Sequence, residues 1–181
     1  MKKFIRYLLY LFVVFLRIYF PMLFFKYHSA YLVILITLLD VVDAEFASNR
    51  VLSKEWYQRM DKMLDLWWYI WILTYVIIYY PIFSVYFVGL FIYRLIGHVL
   101  MAMGAERRVL LYFPNFFEYL FFLLFFSKAF TILNFLTQGN NFYYSLLVII
   151  IFKLSQEYFL HVKKISIREN ILGAKRGWKR E

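Results

Sequence analysis

Four aspartates at two spacings are the residues of this chain best suited to chemistry. Asp40 and Asp43 fall near the end of one apolar run, in LLDVVDAEFAS, and Asp61 and Asp65 open the next, in QRMDKMLDLWWYIW. On a helix, separations of three and four residues keep each pair on one face. Two adjacent helices can therefore direct all four carboxylates at one pocket. Anions this close repel in a low-dielectric site and take up protons unless a cation joins them. Hard oxygen ligands suit magnesium, manganese or calcium, and the absence of histidine from the pairs argues against zinc. The alternative for Asp43, Asp61 and Glu45 is a solvated interfacial place, paired with Arg50 or Lys62. Asp40 and Asp65 lie about 4.5 and 6 Å deeper along their helices, and an ionisable group inside an apolar span points to function.

The elements that must carry these residues are apolar. The chain has 181 residues, 64% of them hydrophobic and 24% aromatic, well above a soluble domain's roughly half. With no cysteine, disulfides and thiolate metal sites are excluded. Six windows are long and apolar enough to span a bilayer: about 5–25, 31–47, 61–80, 82–103, 115–136 and 142–161. The first contains Arg17 and no convincing cleavage site, so it is read as a retained span, not a secretory signal. Pro21 and Pro81 fall near span ends, where a break is tolerated.

The net charge of +10 is distributed for membrane orientation, and nucleic acid is not expected as a partner. One side collects Lys2, Lys3, Arg6, Arg50, Lys54, Arg59, Lys62, Arg107, Arg108 and the tail from Lys163 to Arg180, while the other carries Lys26. The positive-inside bias predicts an all-α integral membrane protein of six transmembrane helices with both termini cytoplasmic. The helical domain would occupy residues 1–164. The basic tail, 165–181, would rest on anionic headgroups.

Further polar groups interrupt the spans. Arg94 and His98 share a face of the fourth, and Lys153, Glu157 and His161 share a face of the sixth. Arg94, Arg107 and Arg108 are candidates for an acceptor or phosphate, because the arginine fork matches phosphate oxygens. The structural alternatives are an internal ion pair for Arg94, with Glu118 or an aspartate, and topology determination for Arg107 and Arg108. Lys153 and Glu157 read as a pair within the helix, and His98 and His161 as buried hydrogen-bonding histidines. Lys128 lies too far outward to join the aspartates and is assigned only snorkelling or packing.

The aspartate spacing resembles one family. The CDP-alcohol phosphotransferases carry D-x2-D-G-x2-A-R-x8-G-x3-D-x3-D across two consecutive transmembrane helices. Laid on this chain without insertion, the four carboxylates fall on Asp40, Asp43, Asp61 and Asp65, and the alanine on Ala47. The first glycine is replaced by Ala44, the arginine by Ser48 and the second glycine by Tyr57. The resemblance implies a six-helix core, usually dimeric, that binds a CDP-linked alcohol at the cytoplasmic face. It also implies Mg2+ or Mn2+ on Asp40, Asp43, Asp61 and Asp65, with Asp65 the catalytic base. Ala44, Ala47, Ser48 and Tyr57 then occupy the nucleotide-binding positions. Ala44 adds one methyl to a backbone approach that favours glycine, Ser48 removes a fixed charge, and Tyr57 places a large side chain where the family keeps space.

No glycine-rich phosphate loop, H-E-x-x-H or G-x-S-x-G occurs. The leading expectation is thus a divalent-metal-dependent membrane transferase. It would pass a phosphoalcohol or phosphatidyl group from a CDP-linked donor to an alcohol, with membrane lipids as partners. A non-catalytic scaffold of the same descent is the alternative, on the evidence of Tyr57 and Ser48. A cation or proton transporter is disfavoured because both aspartate pairs lie toward one surface.

Overall fold

The structure is a computed structural model that describes residues 2–47, 52–105 and 107–161. The basic tail expected over 165–181 lies outside the described residues. Every described element is helical. Six α-helices run over Lys2–Tyr27 (α1), Ala30–Ala47 (α2), Lys54–Tyr79 (α3), Ser84–Ala102 (α4), Phe116–Ala129 (α5) and Asn140–His161 (α6). Short 3-10 segments lie at Pro81–Phe83, Arg107–Leu111 and Thr131–Thr137.

Two helical stretches, Phe4–Tyr27 and Pro81–Ala102, are long and apolar enough to cross a membrane. A third is added if Thr131–Thr137 and Asn140–Phe159, bent by 89°, form one broken span. α2 and α3 fall short because charged residues, among them the four aspartates, crowd one end of each. The apolar side chains turned outward along α1 and α6, such as Phe12, Phe15, Val148 and Phe152, suit lipid contact better than water.

Two local features depart from the segment boundaries expected from sequence. Pro21 lies inside α1, which continues to Tyr27. Proline has no N–H to give the carbonyl one turn earlier, at Arg17, yet Phe24 beyond it is fully buried, and that packing supports the added turn. The fifth segment is divided. α5 ends at Ala129, Phe130 is extended (φ −121°, ψ 111°), and the chain resumes as the 3-10 stretch. At 14 residues α5 is about 21 Å long, short of a full span. Pro81, by contrast, does mark a break: α3 stops at Tyr79, and Pro81 opens the next turn, where its missing N–H costs nothing.

The chain divides into two compact units, Met1–Trp71 and Ile72–Ser166. In the first, α1 packs on α2, and His28 turns the chain between them with φ at 52°. Aromatic contacts bring the middle of α3 to α1. Phe24 meets Trp68 edge-on at 5.5 Å, Phe25 meets Trp71 at 5.2 Å, and Trp67 Nε1 donates to the Ile18 carbonyl at 3.0 Å. Tyr10, Val14 and Leu64 form a buried cluster with Leu52 and Tyr57 against it.

In the second unit α5 is central, touching α4, α6 and the 3-10 stretch after it. Asn115 caps it reciprocally: its Oδ1 accepts from the Glu118 N–H at 3.3 Å, and its Nδ2 donates to Glu118 Oε2 at 2.8 Å. Tyr75 sets its ring edgewise to Phe121 and Phe125. α4 approaches the turn before α5 at Gly97, where an added Cβ would meet Phe113 Cβ at 2.7 Å. Gly97→Ala should therefore destabilise the protein by about 1–3 kcal/mol, as overpacking does. Unfolding in detergent titrated with SDS measures it, and an unchanged midpoint would mean that the contact is looser than described.

Candidate functional site

The four aspartates come together in the first unit, around Arg17 of α1. The Arg17 guanidinium donates through Nη1 to Asp43 Oδ2 and, at 3.3 Å, to Asp61 Oδ1. Through Nη2 it donates to Asp40 Oδ1 at 2.6 Å and Asp65 Oδ1 at 2.9 Å. One planar cation thus joins two carboxylates of α2 to two of α3. The fork suits it to the task, since its terminal nitrogens carry several donors in fixed directions. The side chain is 5% exposed, so the ion pairs hold a charge that would otherwise be costly to bury.

A second cation reinforces the α3 side. Lys62 lies beside Asp61 and one turn before Asp65; its Nζ is 2.9 Å from Asp61 Oδ2 and also bonds Asp65 Oδ2. With all six groups ionised, four negative charges face two positive ones, leaving an excess of two negative charges.

Exposure is uneven. Asp43 is 1% exposed, Asp65 11%, Asp61 16% and Asp40 49%. Sequence position alone made Asp40 the deeper of the α2 pair in the membrane, but burial within protein follows helix face. Asp43 faces α1 and α3, and the cluster opens at Asp40.

Tyr57, at a nucleotide-binding position of the family pattern, donates its hydroxyl to Asp43 Oδ1 at 2.7 Å. It precedes the apolar part of α3. Burial, then the Asp61 and Asp43 carboxylates, pushes the hydroxyl well above its ordinary range, so it remains a donor. The ring is part of the cluster's wall. Of the other nucleotide-binding positions, Ala44 and Ala47 lie on α2, where their side chains are outside the described set, and Ser48 is outside the described residues.

The residues present fit a divalent cation. Asp40, Asp61 and Asp65 each offer a carboxylate oxygen within 4.8 Å of the others. The donor set is all hard oxygen, which suits magnesium, manganese or calcium, and with all six groups ionised the excess of two negative charges matches one such ion. The same three carboxylates are bonded to Arg17, so ion and guanidinium draw on shared oxygens.

The acceptor or phosphate candidates belong to the second unit. Arg94 is buried and donates to the Phe113 carbonyl. Arg107 and Arg108 lie in the 3-10 turn Arg107–Leu111, with their side chains outside the described set. Lys153 pairs with Glu157 at 2.9 Å across one turn, as expected. Lys153 also bonds Gln156, to which Tyr119 donates at 3.1 Å. Lys128, which had only packing as an explanation, sits 5.3 Å from the Tyr80 ring centre in a cation–π contact. His98 is buried in α4.

Sequence reasoning noted Arg17 as a charge inside the first span and left it out of the site. The available signal was that a lone cation in an apolar helix requires an anionic partner, and Asp40 and Asp43 were nearby candidates. Lys62 was weighed only as a partner for solvated carboxylates.

Tyr57→Phe removes one hydrogen bond from a buried carboxylate. It should lower stability by about 1–3 kcal/mol, read from the SDS unfolding midpoint beside the parent protein. No loss would mean that the hydroxyl does not support Asp43. Comparisons with protein-family models, curated proteins and solved structures give no match to this chain.

Proposed function

We propose that this chain is a membrane-embedded, divalent-metal-dependent enzyme of the CDP-alcohol phosphotransferase type. The supporting observation is the convergence of Asp40, Asp43, Asp61 and Asp65 on one point, at the spacing that family uses. In this reading six helices span the bilayer, both termini are cytoplasmic, and the cluster opens to the cytoplasm. Membrane lipids surround the protein, which would act as a homodimer on a CDP-linked alcohol.

Asp40, Asp61 and Asp65 would hold Mg2+ or Mn2+ beside Asp43, which keeps Arg17; the ion when bound supplies neutralisation of the donor diphosphate and of the departing phosphate. The acceptor hydroxyl gives its proton to Asp65 as its oxygen attacks the phosphorus of the transferred group. One P–O bond forms to the acceptor, the P–O bond to CMP breaks, and CMP carries off the electron pair. Arg17 bonds Oδ1 of Asp65 and Lys62 bonds Oδ2, and both cations lower its affinity for that proton. Tyr57 orients Asp43.

The partial neutralisation of the cluster by Arg17 and Lys62 favours a second reading, a non-catalytic membrane scaffold whose aspartates serve only as counter-ions. Thermal melting in mild detergent separates the two. Ligand at about 100 times its dissociation constant adds roughly 2.7 kcal/mol. The enzyme reading expects the midpoint to rise with Mn2+ and again with a CDP-linked lipid, with both rises lost in Asp61→Asn. Asp65→Asn, whose amide oxygen can still ligate, should keep part of the rises yet lower CMP release by about a hundredfold or more, the scale of a general base. A midpoint indifferent to both ligands would leave the scaffold.

A further inference from the structure

Arg17 and a divalent ion compete for the same oxygens, and the geometry shows how the four aspartates divide between them. Asp40, Asp61 and Asp65 are the three whose oxygens approach one another within 4.8 Å. Asp43 stands apart from that triad. It is the most buried of the four and is held by Tyr57 on one oxygen and Arg17 on the other. The triad opens outward at half-exposed Asp40, so a cation arriving from outside meets those carboxylates before it meets Asp43.

We propose that Arg17 is a resident cation of the aspartate cluster that a divalent ion must displace from Asp40, Asp61 and Asp65. The guanidinium stays anchored on Asp43 as it moves. This inference rests on reading the cluster as a cation site, and it gives that site a built-in regulator. Without the ion, Arg17 keeps three acidic groups from repelling one another in a low-dielectric setting. With the ion bound, Arg17 withdraws toward Asp43 and gives up its bond to Asp65 Oδ1. The site would thus be silent until metal arrives, without any separate lid.

The test is Mn2+ titration of the full chain in detergent, with free ion followed by its electron paramagnetic resonance signal. Arg17→Gln removes the competitor and should bind Mn2+ about tenfold more tightly or better, a span ordinary for linked sites, and Arg17→Lys should fall between it and the parent. Equal or weaker binding by Arg17→Gln would overturn the proposal, because Arg17 would then be neutral toward the ion or help to place its ligands. Binding by Arg17→Gln with none by the parent would support the displacement and sink the enzyme reading. Binding by neither would overturn both. If Arg17→Gln folds only with Mn2+ present, it is purified so and melted after chelation. The proposal then expects its midpoint to fall further than the parent's, and equal falls overturn it. If it does not fold at all, Arg17→Lys decides: tighter binding than the parent supports displacement, and unchanged binding overturns it.

Discussion

A guanidinium placed in the middle of an apolar helix has to find anions, and in this protein it finds four. The Arg17 fork bonds two carboxylates of α2 and two of α3, so the charge that α1 cannot leave exposed to lipid sets how three helices meet. Neither side is tolerable alone. Removing the arginine leaves four close carboxylates in a low-dielectric setting, and removing the carboxylates leaves a buried cation. The aromatic contacts of Phe24, Phe25, Trp67, Trp68 and Trp71 then hold the helices close enough for the ion pairs to keep their geometry. Packing and electrostatics select the same arrangement.

The second unit solves its polar problems differently. Arg94 is directed at a backbone carbonyl, Lys153 pairs with Glu157 one turn away, and Asn115 caps its helix through Glu118. The last two close within one helix or one turn, and Arg94 reaches a carbonyl 19 residues along the chain. The aspartate cluster is the contrasting case: it has to be assembled from distant segments and keeps an opening at Asp40. Excess negative charge at an opening is a poor way to stabilise a fold and a good way to attract a cation. That contrast is why function is sought in the first unit.

The helical segments were legible because an apolar run of span length admits few other structures, and the aspartates were legible because spacings of three and four define a helix face. Lys153 and Glu157 could be paired for the same reason. Arg17 resisted because its partners lie 23 to 48 residues away, and no local pattern states which distant anion a cation will meet. Tyr57 was read by size alone, as an obstruction at a glycine position; its hydroxyl gives it a bond to Asp43 that size does not reveal. The end of α5 at Ala129 was invisible because hydropathy continues across the break, where Phe130 is extended. Pro21 is carried inside α1, as the span drawn through it allows, and the burial of Phe24 beyond it supports the added turn.

The central claim is that Arg17 and the aspartates form one energetic unit in the folded protein. A double-mutant cycle tests it most directly: Arg17→Met, Asp43→Asn and the pair together, each measured by SDS unfolding in the same detergent. Removing Arg17 leaves Asp43 buried without its counter-ion, and removing Asp43 takes from Arg17 its most buried partner, so the double variant should be more stable than the summed single effects require, with a coupling of about 2 kcal/mol or more. Additive effects would contradict the account, because Arg17 and Asp43 would then stabilise the protein independently.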